Sequence, residues 1–307
     1  MKTNISTGSI IFFCLSLFPN ISFAQSTQIP GDLPKVMLER TEIRVLHSEI
    51  VGQDYELFIS LPYSYSDTET DYPVIFLLDP YRAFSMMKGF TDVLAAPFQI
   101  IPEVILVGIG YGGEGLNARL NYAVGRVRDY TPEQDFYTEE RYESLITDAG
   151  IEETDVISGK ASAFLDFIHL ELFPFIESNY RIDSQDRMLS GYSFGGTFAL
   201  YTLFKEPELF DKYFIGSPSV DFKDKVLFDY ENDYSKTHCD LKAHVFISVG
   251  GNERSFGDNQ EMVDSLYSRN YKSLELIKVV FDNESHTSCY PAAMSRGLIE
   301  LFKEKDK

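Results

Sequence analysis

Cysteine is scarce in this chain of 307 residues, with Cys14, Cys239 and Cys289 the whole complement. That is too few for a disulfide framework, although Cys239 and Cys289 could pair in an oxidising compartment. There is no C-x-x-C, no H-E-x-x-H and no calcium-loop pattern, so neither a metal nor another cofactor is expected. Repeats and low-complexity tracts are missing too. Positive charge is in short supply: 27 Lys and Arg stand against 47 Asp and Glu, a net charge of −20. Such acidity disfavours nucleic acid and anionic membrane surfaces as partners. Past the N-terminus no run of 18 apolar residues occurs, so no membrane insertion is expected. Hydrophobic residues still make up 44% of the chain and aromatics 14%, ample for a packed core.

The first 24 residues read as a secretory leader. Lys2 precedes an apolar run from Ile10 to Phe18, and Ser22 and Ala24 flank a cleavage point before Gln25. The remainder, residues 25–307, reads as a single domain, exported to the periplasm or beyond it. Cys14 sits inside the apolar run, which argues against a lipoprotein anchor. The oligomeric state is not legible.

Along that domain, strands and helices alternate. Residues 36–47 and 53–62 suit an antiparallel edge hairpin with one wet face. Residues 73–79, 104–109 and 244–249 are continuous apolar runs, as expected of strands buried on both faces, and residues 274–281 add another. Helical spacing appears at residues 161–178, at Met262, Val263, Leu266 and Tyr267, and again from about Pro291. This is an α/β pattern, a mainly parallel central sheet with helices on both faces and an antiparallel N-terminal hairpin. Functional residues then belong at the carboxyl ends of strands. Residues 110–160 break the rhythm and read as a cap-like insertion. The acidic run Asp229-Tyr230-Glu231-Asn232-Asp233 reads as a solvated loop.

The chemistry concentrates at Gly191-Tyr192-Ser193-Phe194-Gly195-Gly196. A short strand precedes this G-x-S-x-G and an apolar helix, residues 195–204, follows it, ended by Pro207. Serine on such a turn is held in strained backbone geometry, and small residues at 191 and 195 let strand and helix approach. A nucleophilic serine needs a base, and that base needs an acid. Of the five histidines, His286 lies after the last strand and before the last helix, where a base belongs. Glu253 follows the preceding strand and is the first choice of acid. Asp258 is the second, at a position that helix capping also explains. The oxyanion hole is expected from the Phe194 N–H and, because Pro80 has none, from that of Tyr81. The glycines from Gly108 to Gly113 lack the spacing of a dinucleotide turn.

These pieces resemble the putative-esterase (esterase D-like) branch of the α/β-hydrolases, especially exported bacterial members related to enterochelin-type siderophore esterases. The matching segments are Leu77-Leu78-Asp79, Val107-Gly108-Ile109, Arg128-Asp129-Tyr130-Thr131-Pro132, the serine turn, Ser217-Pro218-Ser219, Gly250-Gly251-Asn252-Glu253 and His286. One departure is Leu78-Asp79-Pro80-Tyr81, where many members have Leu-Asp-Gly. The resemblance implies an α/β-hydrolase fold and a metal-independent serine esterase with Ser193, His286 and Glu253 as its triad. Its substrate would be a small-molecule ester, a siderophore-like lactone or an aryl ester. Carbohydrate-linked feruloyl or acetyl esterase, acyltransferase and silent binding module are the alternatives. Arg126 and Arg128, beside Tyr122 and Tyr130, are candidates for a locally basic aromatic pocket.

Overall fold

β1 (Thr41–Ser48) and β2 (Gln53–Ser60) form the expected antiparallel hairpin, turning through Gly52 at φ 78°. In the computed structural model the described residues are 36–151 and 154–303. The leader and its cleavage point before Gln25 lie outside them. The first strand begins at Thr41, not at 36.

β2 pairs antiparallel with β4 (Ile105–Gly110), and every further pairing is parallel. With β3 (Tyr72–Leu78), β5 (Ile182–Tyr192), β6 (Lys212–Gly216), β7 (Ala243–Gly250) and β8 (Leu274–Phe281), the sheet runs β1-β2-β4-β3-β5-β6-β7-β8. All of β4 and all but one residue of β3 are buried, because helices cover both faces. Strand order reverses between β3 and β5: the chain leaves β3 toward β4 and leaves β5 toward β6. That switch point opens a crevice at the carboxyl edge of a doubly wound sheet, and residues 79–81 and 193 both lie on it.

The helices are α1 (Pro80–Ala95), α2 (Gly115–Tyr130), α3 (Phe136–Asp148), α4 (Ala161–Phe167), α5 (Phe173–Asn179), α6 (Phe194–Lys205), α7 (Phe222–Thr237), α8 (Phe256–Arg269) and α9 (Tyr290–Phe302). One core layer packs Met87 and Leu94 of α1 with Met294 and Leu298 of α9 against the sheet. The opposite layer packs Phe164 of α4, Phe198 of α6 and Met262 of α8.

The structure corrects several elements. Residues 110–160 are mostly α2 and α3, not irregular chain. Their inward faces escaped a search for apolar periodicity because few of the buried positions are apolar: Gly125 and Asp129 stand beside Val127 and Tyr130 on α2, and Thr138 and Glu139 beside Ile146 on α3. Gly125 lies flat on the Tyr111 ring, where a Cβ would sit 2.4 Å away. The acidic run at 229–233 is inside α7. Helix 161–178 is two helices joined through a π-helical turn, Ile168–Leu172.

The serine turn is the tightest place in the fold. Ser193 has φ 58° and ψ −122°, a region that disfavours any residue with a Cβ and costs about 1–3 kcal/mol. Gly191 abuts the chain four residues on: a Cβ there would meet the Gly195 carbonyl oxygen at 2.1 Å. Gly195 is less constrained, since its nearest neighbour would be Leu78 Cβ at 3.4 Å. The two glycines should therefore respond differently. Gly191→Ala is expected to lose about 3 kcal/mol or more in urea unfolding. Gly195→Ala, inside a helix, is expected to stay within about 1 kcal/mol of wild type. Equal losses at both positions would contradict this account.

Candidate active site

β5 and β3 are neighbours, so the helices that leave them start side by side. α6 begins at Phe194 directly after Ser193, and α1 begins at Pro80 directly after Asp79. The first N–H groups of any helix have no intrahelical acceptor. Those of Phe194 and Tyr81 therefore sit at two helix starts on the same sheet edge. A Cβ on Gly195 would stand 3.5 Å from Asp79 Oδ2, which measures how closely the two starts approach. Ser193 itself donates its N–H to the Gly216 carbonyl at the end of β6 (2.9 Å).

His286 and Glu253 come together. Imidazole Nδ1 lies 2.8 Å from Glu253 Oε2, with the carboxylate side chain 1% exposed and the imidazole 45% exposed. The other oxygen, Oε1, accepts from Ser217 Oγ (2.6 Å) and from the Gly250 N–H (2.5 Å). Burial alone would raise the Glu253 carboxyl, but the bonds from His286, Ser217 and the Gly250 amide hold it below the usual carboxylate range. Gly250 has to be glycine for this: a Cβ would stand 2.6 Å from the Glu284 carbonyl and 2.9 Å from Oε1. Asp258 lies elsewhere, in the first turn of α8 with Lys225 Nζ at 2.9 Å.

Tyr192, Ser217 and Cys289, the last offered by the sequence only as a disulfide partner of Cys239, complete the surroundings. Tyr192 donates its hydroxyl proton to the His286 carbonyl (2.6 Å). It also lies 2.9 Å from both Ser217 Oγ and Cys289 Sγ. The Ser193 hydroxyl and the imidazole make no direct hydrogen bond, so Tyr192 is what ties the histidine loop to the serine turn. Cys239 and Cys289 are unpaired thiols, one exposed and the other buried. Burial pushes the Cys289 thiol up. No local pattern could have revealed this cluster, since its members come from three separate strand ends.

The four residues proposed for a basic aromatic pocket divide. Arg126 and Tyr122 line a cleft of about 700 Å³ beside Phe194, together with Tyr81 and Tyr142. Arg126 holds Asp79 through two bonds, Nε–Oδ1 at 3.1 Å and Nη2–Oδ2 at 3.0 Å. Burial alone would lower this guanidinium, and the Asp79 charge beside it raises it instead. Arg128 turns away toward Asp129 (2.7 and 2.9 Å) and Tyr55. Tyr130 is fully buried, with its hydroxyl taking the Asp79 N–H at 3.3 Å. Neither Arg128 nor Tyr130 lines that cleft, because successive residues of a helix face different directions, and of these four residues α2 turns only Tyr122 and Arg126 toward it. A larger cleft, about 1160 Å³, lies at the opposite, amino edge of the sheet beside Tyr72, Lys212 and His244, remote from Ser193.

Among known proteins, the sequence model of the putative-esterase family matches residues 48–149 and 136–276. A ferri-bacillibactin esterase of Bacillus subtilis is 30% identical over 269 residues, 84% of this chain and 88% of that protein. A siderophore triacetylfusarinine C esterase of Aspergillus fumigatus is 25% identical over 307 residues, covering 89% and 97%. The crystal structure of the BES protein from Bacillus cereus superposes with a TM-score of 0.74 at 26% identity, over 91% of this chain and all of that one.

The buried carboxylate makes a pH prediction. Because the folded-state pKa of Glu253 is depressed, its ionised form stabilises the fold. That contribution is complete above the unfolded value, about 4.3, and is lost as pH falls through the folded value. The difference in unfolding free energy between wild type and Glu253→Gln should hence be constant at neutral pH and shrink below about pH 4. Denaturant titrations at several pH values measure it, and a difference independent of pH would show the assignment to be mistaken.

Proposed function

Because this chain belongs to the putative-esterase family, we propose that it is a serine hydrolase cleaving carboxylic esters through an acyl-enzyme. The observation that carries the reading is the buried Glu253 carboxylate bonded to His286 Nδ1 at 2.8 Å, beside a serine in a strained strand-to-helix turn. With Nδ1–H donated to the carboxylate, Nε2 is left as the proton acceptor. Ser193 Oγ attacks the ester carbonyl carbon while its proton passes to Nε2. The oxyanion is held by the N–H groups of Phe194 and Tyr81. The carbon–oxygen bond to the leaving alkoxide breaks, and the imidazolium gives that alkoxide its proton. Water then attacks the acyl-serine with His286 again as base, which releases the acid and restores Ser193.

The substrate class follows from the relatives, named as esterases of siderophores, and from the cleft. An aromatic and cationic lining at Tyr81, Tyr122, Arg126 and Tyr142 suits aryl groups around a lactone. The leader sequence supports export, so hydrolysis would take place outside the cytoplasm.

A fluorophosphonate probe and a panel of p-nitrophenyl esters, feruloyl sugars and catecholate trilactones test this. The wild-type protein should be labelled and Ser193→Ala should not. His286→Ala should lose about 10⁴-fold or more in kcat, and Glu253→Ala at least about 10²-fold. Asp258→Ala should stay within about threefold of wild type. Label retained by Ser193→Ala would remove the nucleophile, and a larger loss at Asp258 than at Glu253 would replace the acid.

A further inference from the structure

Tyr192 is the last residue of β5 and directly precedes Ser193, yet its hydroxyl reaches a residue 94 positions further on. Its main chain leads into the serine turn while its ring tip holds the histidine loop. A single side chain therefore relates the positions of Ser193 and His286.

His286 needs such a reference. Its imidazole is 45% exposed, and Nδ1 is held by Glu253 at 2.8 Å. A ring held at one atom can pivot about that bond, and the pivot swings Nε2 through an arc. A second anchor ends the pivot. The Tyr192 hydroxyl supplies it by donating to the His286 carbonyl at 2.6 Å. The backbone bonds that brace this loop fall on either side of His286, from the Asn252 N–H to the Glu284 carbonyl (3.0 Å) and from the Cys289 N–H to the Ser285 carbonyl (3.1 Å).

The anchor is itself rigid. Gly216, at the end of β6, admits the Tyr192 ring, which a Cβ there would strike. The ring of Tyr290, the first residue of α9, packs on it with centroids 3.8 Å apart. Ser217 Oγ and Cys289 Sγ, each 2.9 Å from the hydroxyl, close around its tip. Burial, with Cys289 adding to it, pushes the phenol up, so it remains a donor at neutral and mildly alkaline pH.

We propose that Tyr192 is a positioning residue for the ester cleavage: its hydroxyl, acting through the His286 carbonyl, sets where Nε2 points relative to Ser193. This rests on the serine-hydrolase reading above. Tyr192 touches neither the ester nor the transferred proton, so it acts on the chemical steps and leaves substrate binding alone. Both halves of the reaction depend on it, because His286 is the base in acylation and again in deacylation.

Tyr192→Phe removes the hydroxyl and keeps the ring. On a p-nitrophenyl ester, kcat should fall about 10- to 100-fold with KM within about threefold of wild type. Fluorophosphonate labelling of Ser193 should slow by a similar factor. The low-field proton resonance of the Nδ1–H bonded to Glu253 should shift or broaden, which a loss of stability alone would not cause. Tyr234→Phe is the matched control. Its phenol is as buried as that of Tyr192 and donates to the Asp240 carbonyl at 2.8 Å, but at the amino edge of the sheet. It should lower the melting temperature to a similar extent and leave kcat within about twofold of wild type. If Tyr192→Phe does not fold, Tyr290→Leu carries the test, since it releases the ring, keeps the hydroxyl and should also lower kcat more than it changes KM. A kcat unchanged in Tyr192→Phe, an effect confined to KM, an unaltered Nδ1–H resonance, or an equal rate loss in Tyr234→Phe would overturn the proposal. These outcomes leave the hydrolase reading standing as long as the wild type turns over the ester through Ser193. A wild type that cleaves no ester and takes no label defeats that reading instead.

Discussion

One backbone contact governs the arrangement of this molecule: the chain at Gly191 lies against the Gly195 carbonyl with no room for a single methyl group. That contact forces β5 to stop and α6 to start within two residues, which puts Ser193 at φ 58°. A strained residue persists only where its surroundings over-determine it. Here the surroundings are the Ser193 N–H held by Gly216 and the Gly196 backbone pressed on that same carbonyl, which a Cβ at 196 would meet at 2.9 Å. The strain is thus spread over two adjacent parallel strands and the helix between them. A serine side chain fixed by backbone in this way needs no hydrogen bond of its own to be aimed.

The histidine is held by a different device. Its loop follows β8, at the far edge of the sheet from β3, and nothing in that loop alone would fix it. Glu253 fixes the ring and Tyr192 fixes the main chain, and both partners are themselves tied to Ser217. Ser217 gives its proton to Glu253, so the Tyr192 hydroxyl is the donor that the His286 carbonyl and Ser217 Oγ share, while the Cys289 thiol lies 2.9 Å from Tyr192 and 3.5 Å from Glu253 Oε1. Ser217 sits at φ 39° and is wholly buried, so the strain of the site extends to the residue that supports the carboxylate. Burial and hydrogen bonding oppose each other at Glu253, and three donors outweigh the desolvation.

How much of this could be read beforehand depends on whether a feature is local. The serine turn, His286 and Glu253 were legible because their order along the chain follows strand order in a doubly wound sheet. The family segments added consistency at each strand end. Helix α1 was hidden by Pro80, a residue that breaks a helix interior but suits the first helical position, where no N–H is wanted. Strand β6 was missed because only five residues separate Phe210-Asp211 from Ser217. α2 and α3 were missed because their inward faces interrupt the apolar residues Val127, Tyr130 and Ile146 with buried Asp129–Arg128 and Glu139–Ser158 pairs. Polar networks joining distant segments leave no periodicity to find. The same holds for the division between Arg126 and Arg128, which depends on a rotation of α2 that composition does not encode.

The Asp79-Pro80-Tyr81 departure from the family pattern now has a physical account. Asp79 takes a left-handed conformation at φ 54°, and Pro80 occupies the first position of α1 with its ring against Gly108, where a Cβ would come within 2.7 Å of Pro80 Cβ. Proline removes one amide from the helix start and hands the exposed N–H to Tyr81. The Tyr81 ring is then clamped: its hydroxyl donates to Glu56 (3.2 Å) and receives the Gly112 N–H (2.7 Å). Burial, with Glu56 adding to it, pushes this phenol up to about 12, so it stays protonated and keeps both bonds. The turn nonetheless brings a carboxylate close to the serine turn, since Asp79 Oδ2 would stand 3.5 Å from a Cβ on Gly195. Arg126 answers that charge with two hydrogen bonds and brings its guanidinium within 5.4 Å of the Phe194 ring centre. A buried aspartate with a guanidinium clamped to it presents little net charge to the serine, whereas the same aspartate alone would repel the oxyanion of the proposed reaction. Proline at position 80 and arginine at position 126 are accordingly two parts of one arrangement, which leaves the Tyr81 amide at the start of α1 while cancelling the acid that shapes its turn.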